Sequence, residues 1–138
     1  MNQASSKIDF LPLQWYEVNR TVIKRKTLGG VEISLKRPAF TPIKDGETLI
    51  QEGNIAIKSR IEPCLCIVLN TTDIEMIGSF CFDVGNRHLP IFKIDDKFIV
   101  SYDGHLFQAL SIKYGTFVSV EEYVLKIDNA LKTFGNYY

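Results

Sequence analysis

The residues best suited to chemistry lie in the run Gly85-Asn86-Arg87-His88. His88 is one of only two histidines, and Asp83 lies shortly before it. A neutral imidazole is a good ligand for nickel, copper and zinc. If a helix ends at Gly85, its unpaired carbonyl groups and the Asp83 carboxylate favour a bound cation. The run therefore indicates a metal site at His88, against two opposing considerations: Arg87 repels cations, and a loop histidine is most often an ordinary surface residue.

One histidine holds a metal weakly, so a second copy of the chain enters the prediction. In a two-fold dimer an isologous contact places identical residues across the axis. Two His88 side chains, with water or a weak third ligand, would form an exposed and labile site. Lability suits delivery of a metal better than catalysis.

The elements that must position this run form an α+β pattern in the second half. Residues 64–69, 89–94, 98–102 and 117–125 read as strands, and residues 74–84 and 104–114 read as helices. One apolar stripe is expected on the first helix, formed by Ile74, Ile77, Phe80, Cys81 and Val84, with Gly85 as its C-cap. Asp103 can cap the second helix, and residues 126–138 read as a tail. The order β-α-β-β-α-β predicts a ferredoxin-like unit.

The first half reads as β structure. Residues 1 to about 10 look frayed, and an alternating first strand follows at Leu11–Trp15. Residues 21–26 and 31–35 form a predicted hairpin, in which Gly29-Gly30 supplies the positive φ of the turn. Frequent turns beyond it suggest a small β-barrel or sandwich. We therefore expect an α+β protein with a β-rich domain over residues 1–63 and a ferredoxin-like domain over residues 64–138.

Composition limits the function classes. Sixteen basic and sixteen acidic residues give a formal net charge of zero, which argues against binding nucleic acid or anionic membranes by bulk electrostatics. No apolar stretch approaches the length of a membrane span, and the start lacks signal-peptide features. We expect a cytoplasmic protein that binds neither nucleic acid nor membrane. The absence of a Gly-rich phosphate loop and a nucleophile elbow predicts that it is not an enzyme.

A resemblance to the UreE family, the urease accessory proteins that act as nickel metallochaperones, is carried by residues 81–90, CFDVGNRHLP. The segment from Val22 through Leu35 is similar to the first β-hairpin of that family, and residues 45–49, DGETL, are similar to its next turn. In order and spacing the resemblance covers most of residues 13 to 125.

The resemblance implies an N-terminal β domain that binds partner proteins and a ferredoxin-like domain that forms a homodimer. It also implies nickel held by the histidine matching His88, and urease apoprotein and other urease accessory proteins as partners. Zinc or copper is expected to substitute for nickel in vitro, since divalent metals compete for such ligands.

The chain departs from the family at its supplementary ligands. Its last residues contain no histidine, whereas many members carry a His-rich tail. Some members place a His-x-His pair at the start of the second helix, where only His105 is present. Some have a histidine where Asp83 stands. His105 and Asp83 are therefore auxiliary ligand candidates, with a solvated surface residue as the alternative for His105.

The cysteines are expected to be reduced, because Cys64, Cys66 and Cys81 form neither an even set nor a zinc-ribbon spacing. Cys64 and Cys66 have the CxC spacing that points both thiols to one face of a strand. Thiolates bind soft metals, but their apolar setting favours small core residues. Packing is also expected for Cys81.

A basic cluster on the β domain is the candidate partner-binding surface. It includes Arg20, Lys24 and Arg25, with the aromatic pair Trp15 and Tyr16 nearby. Such a surface suits an acidic partner protein or RNA, and the alternative is a solvated strand face. Because base stacking needs exposed aromatic rings, RNA binding ranks last. The runner-up to the metallochaperone is a UreE-like interaction module with weak or lost metal delivery.

Overall fold

The computed structural model describes residues 7–132, which divide into two compact units, residues 7–62 and residues 63–132. The predicted frayed start falls partly on residues 1–6, which lie outside the described residues. For residues 7–10 the prediction is wrong. These residues belong to the first strand, where they pair with residues 55–58 of a strand far along the chain.

The first unit contains five strands: β1 (Lys7–Leu13), β2 (Val22–Lys26), β3 (Glu32–Lys36), β4 (Thr48–Glu52) and β5 (Ile55–Ile61). In one sheet β5 lies between β1, to which it is parallel, and β4, to which it is antiparallel. A separate two-stranded sheet consists of β2 and β3. The described residues of this unit therefore form no closed barrel, because no ladder joins the two sheets into a ring.

The predicted hairpin is present between β2 and β3. Gly30 adopts a φ of 87° at its turn, as the Gly-Gly sequence requires. Asp9 on β1 holds the turn from outside: its carboxylate accepts hydrogen bonds from the Thr27 hydroxyl at 2.5 Å and from the Gly29 N–H at 2.9 Å. The Leu28 N–H also donates to the Phe10 carbonyl at 2.8 Å, so the Asp9 side chain and one backbone hydrogen bond connect β1 to the hairpin.

The second unit contains β6 (Cys64–Leu69), α1 (Ile74–Gly85), β7 (Phe92–Ile94), β8 (Lys97–Ser101), α2 (Gly104–Tyr114) and β9 (Val118–Tyr123). Its four strands form one sheet in the order β7-β8-β6-β9, and every neighbouring pair is antiparallel. The predicted element order is observed, and β6 has the predicted bounds. The α+β fold class is confirmed.

Both helices begin at an aspartate: Asp103 is the predicted cap of α2, and Asp73 is the cap of α1. The Asp73 carboxylate accepts from the Glu75 N–H at 3.0 Å, and the Asp103 carboxylate accepts from the Leu106 N–H at 2.9 Å. The helices pack on the sheet through a core of Ile67, Leu69, Phe80, Val84, Val100, Leu106, Leu110, Tyr114 and Val118. Ile74, predicted for the buried stripe of α1, is 80% exposed at the first helical position.

The segment after β9 is not a simple tail over its described part. Residues Ile127–Asn129 form a 3-10 turn, and the Leu131 N–H donates to the Ile91 carbonyl at 2.8 Å. Leu125 is buried, which explains why the chain folds back here. Residues 133–138 of the predicted tail lie outside the described residues. Neither helix found in residues 7–132 is long and apolar enough to cross a membrane.

Candidate metal centre

His88 lies three residues after the end of α1, at the close of a hydrogen-bonded turn. The backbone N–H of Asn86 donates to the Phe82 carbonyl at 2.9 Å, and the N–H of His88 donates to the Gly85 carbonyl at 2.9 Å. His88 then adopts a φ of 59°, in the left-handed region. The prediction that Gly85 is the C-cap is wrong: Gly85 is the last helical residue, Asn86 is the C-cap, and the chain reverses only at His88.

The imidazole of His88 is available to solvent. The residue is exposed, as are the three residues before it. A left-handed backbone is uncommon outside glycine, although histidine is among the residues enriched there. Such conformations cluster at functional sites. The helix terminus beside His88 carries partial negative charge from its last carbonyl groups, which favours a bound cation.

Asp83 forms hydrogen bonds with two residues of α2. Its Oδ2 accepts from Lys113 Nζ at 2.8 Å and from Tyr114 Oη at 2.6 Å. The Lys113 bond, followed by the Tyr114 bond, holds the pKa of Asp83 below its ordinary value. Tyr114 Oη also lies 2.8 Å from Ser79 Oγ. Both bonds of Asp83 to α2 are made by Oδ2, which is therefore already engaged.

His105 is the second residue of α2 and is exposed. It lies at the positive end of the helix dipole, which disfavours a bound cation. Within residues 7–132 there is no group of three or more histidine, cysteine, aspartate or glutamate side chains placed to hold one metal ion. A site at His88 must therefore draw further ligands from water or from another chain.

The CxC cysteines lie on one face of β6, as predicted. Cys66 is fully buried and Cys64 is half-buried, and their sulfur atoms are 3.8 Å apart. The hydrogen bond between the thiols lowers the pKa of Cys64 and raises that of Cys66, and burial raises the latter further. Cys81 is partly buried against the core of the second unit, and burial raises the pKa of its thiol.

Two of the basic candidates in the first unit, Arg20 and Arg25, form ion pairs with the buried Glu17. The Glu17 carboxylate accepts from Arg25 Nη1 at 2.7 Å and Arg25 Nη2, and also from Arg20 Nη1 at 2.7 Å. Burial raises the pKa of Glu17, but the Arg25 bond and the neighbouring charges outweigh it, so this pKa lies below its ordinary value. Lys24 is exposed.

The aromatic candidates differ from one another. Trp15 is only 3% exposed and belongs to the core of the first unit, which removes its ring from the surface. Tyr16 is half-buried, and its ring meets that of Trp15 edge to face at a centroid distance of 5.5 Å. Trp15 lies in a 3-10 turn, Trp15–Glu17, rather than in the predicted strand, but its burial agrees with the alternation of Leu11, Leu13 and Trp15.

The sequence did not predict the residues that bond the candidate site residues, namely Glu17, Lys113 and Tyr114. The three-residue spacing of Glu17 and Arg20 was a usable signal, since such pairs meet within one helical turn. The pairs Glu17–Arg25 and Asp83–Lys113 join residues on different elements. Their sequence separation gave no comparable signal.

Comparison with known proteins adds to this geometry. No family model matches the chain. The chain is 37% identical over 109 residues to the urease accessory protein UreE of Acetivibrio thermocellus, covering 79% of this chain and 71% of the relative. UreE of Flavobacterium johnsoniae is 27% identical, with coverage of 75% and 64%, and UreE of Lysinibacillus sphaericus is 30% identical, with coverage of 70% and 66%. The chain belongs to the UreE family.

The family resemblance found in residues 81–90 is thus confirmed. This UreE-family chain spans about two thirds of the length of these relatives.

Proposed function

We propose that the chain is a nickel-binding metallochaperone that delivers Ni(II) during urease maturation, with the metal held between His88 of two subunits. The observation that carries the proposal is the position of His88: exposed, left-handed and at the carbonyl end of α1. The relatives' name, urease accessory protein, supports the biological setting.

The proposal requires a homodimer. One imidazole provides a single ligand, and no cluster of three ligating side chains lies within residues 7–132. An isologous contact through the second unit would supply the second imidazole. The antiparallel sheet order of that unit and its two helices, which lie within residues 64–123, support the proposal of a ferredoxin-like domain. Residues 1–63 are proposed to bind partner proteins.

The remaining features of the proposal follow from the family. The chain carries metal and does no catalysis, works in the cytoplasm and docks on urease apoprotein and other urease accessory proteins. Zinc and copper compete for the same imidazole ligands in vitro, because the affinity order of divalent ions does not favour nickel over copper. Lys24 and Tyr16, rather than the buried Trp15, are the remaining surface candidates for docking.

Nickel titration of the dimer tests the metal role. We expect about one nickel ion per dimer for the wild-type chain, and loss of this binding in His88→Ala. His105→Ala is the matched control, because it removes the other exposed histidine. Unchanged nickel binding in His88→Ala would refute the proposed site.

A second candidate function is an interaction module of the UreE type with weak or lost metal delivery. The engagement of Asp83 by Lys113 and Tyr114 favours it, because the Oδ2 atom of this auxiliary candidate is already in use. This alternative predicts that wild type and His88→Ala bind urease accessory proteins equally and that neither binds nickel tightly. A pull-down combined with the titration distinguishes the two functions.

A further inference from the structure

Two thiols meet on a strand well outside the His88 turn. Cys64 and Cys66 occupy alternate positions of β6 and therefore project from the same face of the sheet. Their sulfur atoms lie 3.8 Å apart, and Cys66 Sγ also donates to the Cys64 carbonyl at 3.4 Å. Both are free thiols.

The separation of the two sulfurs matches that of two thiolates on one metal ion. With zinc–sulfur bonds of about 2.3 Å and tetrahedral angles, two ligating sulfurs lie about 3.8 Å apart. The pair already has this spacing before any ion is bound. A disulfide would require the sulfurs to approach to about 2.05 Å. Alternate strand positions lie about 6.7 Å apart at the Cα atoms, near the upper end of the range that a disulfide spans.

The surrounding sheet fixes the two thiols. β6 is a central strand, paired with β8 on one side and with β9 on the other. Cys64 pairs with Tyr123, and Cys66 pairs with Glu121 and Ser101. Ladders on both sides hold the backbone of Cys66, and the β9 ladder holds that of Cys64. Little ordering is therefore needed when a ligand binds. Cys64 is half-buried, so a small ion can approach the pair from the Cys64 side. Cys66 is buried and offers no second approach from solvent.

The carboxylate closest in register to the two sulfurs is engaged in other contacts. Glu121 lies opposite Cys66, but its carboxylate accepts from Ser119 Oγ at 2.9 Å and lies 3.9 Å from Lys97 Nζ. It is thus engaged in a different contact. The two thiols are therefore the candidate ligands, and water or a small-molecule thiol would complete the coordination of a bound ion from the Cys64 side.

We propose that Cys64 and Cys66 form a second metal site, a two-thiolate clasp for a thiophilic divalent cation of the zinc and cadmium class. Binding replaces two S–H bonds by two metal–sulfur bonds and releases two protons to solvent, with no change of oxidation state. Soft thiolate ligands select zinc-like ions, whereas the imidazole at His88 suits nickel. The chain thereby separates two kinds of metal ion, and the clasp does not depend on the proposed delivery of nickel.

Cadmium titration of the reduced full-length chain tests the clasp. Cadmium bound by thiolates gives an ultraviolet charge-transfer absorption that oxygen and nitrogen ligands do not give. We expect this absorption to saturate at one cadmium ion per chain, with release of two protons per ion in a weakly buffered solution. His88→Ala should leave both signals unchanged.

Variants of single cysteines supply the decisive comparison. Cys64→Ser should abolish the absorption change, and Cys81→Ser is the matched control that should leave it intact. Cys64 is chosen because it is less buried than Cys66, and circular dichroism checks that the variant is folded. Protection of Cys64 from alkylation by stoichiometric cadmium is a second readout. Absence of the absorption in the wild type, or its persistence in folded Cys64→Ser, would overturn the proposal.

Discussion

Replacing Arg25 by methionine tests whether the basic cluster of the first unit is structural. Arg25 donates to both carboxylate oxygens of Glu17 and, through Nη1, to the Pro12 carbonyl at 3.1 Å. The Glu17 side chain is 4% exposed and that of Arg25 is 31% exposed. The substitution therefore leaves a buried carboxylate with fewer partners, while the methionine retains much of the apolar stem.

The expected loss follows from these contacts. Hydrogen bonds to charged groups contribute about 1.5–3 kcal/mol each. In the variant, Arg20 Nη1 and the Gln14 N–H still donate to the Glu17 carboxylate, at 2.7 Å and 2.9 Å. The partial exposure of Arg25 also weakens the contribution of its hydrogen bonds to stability. We expect the free energy of unfolding of the first unit to fall by about 2–3 kcal/mol. With an m-value of about 1–2 kcal/mol/M, the urea midpoint falls by about 1–3 M.

Tryptophan fluorescence is a selective assay for this unit. Trp15 is the only tryptophan in the chain, and it lies beside Glu17 in the buried 3-10 turn. Lys24→Met is the matched control, because it removes an exposed cation from the same strand and should change stability by less than about 0.5 kcal/mol. If the two variants unfold at the same urea concentration, the ion cluster contributes nothing and the reasoning is refuted.

The same cluster predicts an acid dependence. The folded-state pKa of Glu17 lies below its ordinary value of 4.5. Since the unfolded chain then takes up the proton at higher pH than the folded chain, the stabilisation is fully present above about pH 5 and is lost as the pH falls through the folded-state pKa. We expect Glu17→Gln to unfold with a weaker acid dependence than the wild type. An identical dependence would show that other carboxylates cause it.

Three further predictions concern the second unit and are measured by chemical unfolding followed by circular dichroism. His88→Gly should be more stable than His88→Ala by about 1 kcal/mol, because glycine adopts the positive φ without strain; equal stabilities would mean that the turn rearranges. Tyr114→Phe should cost about 1–2 kcal/mol through loss of its hydroxyl bonds to α1, whereas the exposed Tyr102→Phe should cost little. Asp103→Ala should cost about 1 kcal/mol and Asp103→Asn much less, since asparagine also caps helices; an equal loss for both would argue that charge, not capping, matters.

Local sequence patterns determined several elements of this protein. The continuous apolar run of β6, the cap Asp103 and the Gly30 hairpin were all predictable, because each depends on neighbouring residues alone. Periodicity gave the buried positions Phe80 and Val84 for the same reason. The family phrase in residues 81–90 also identified His88 as the candidate ligand.

Only the tertiary structure decided features that join distant residues. The parallel pairing of β1 with β5 and the absence of a closed barrel in residues 7–62 depend on strand partners that no local pattern specifies. The burial of Glu17 against Arg25 and the engagement of Asp83 by Lys113 likewise depend on packing between elements.

His88 illustrates the boundary between the two sources of information. Its residue type and its position after a helix could be read from the sequence. Its left-handed backbone could not, because the helix includes Gly85 and has its C-cap at Asn86, so the chain reverses only at His88. Similarly, the CxC spacing predicted the common face of Cys64 and Cys66, but the sulfur separation of 3.8 Å depends on side-chain rotamers that packing in the sheet selects.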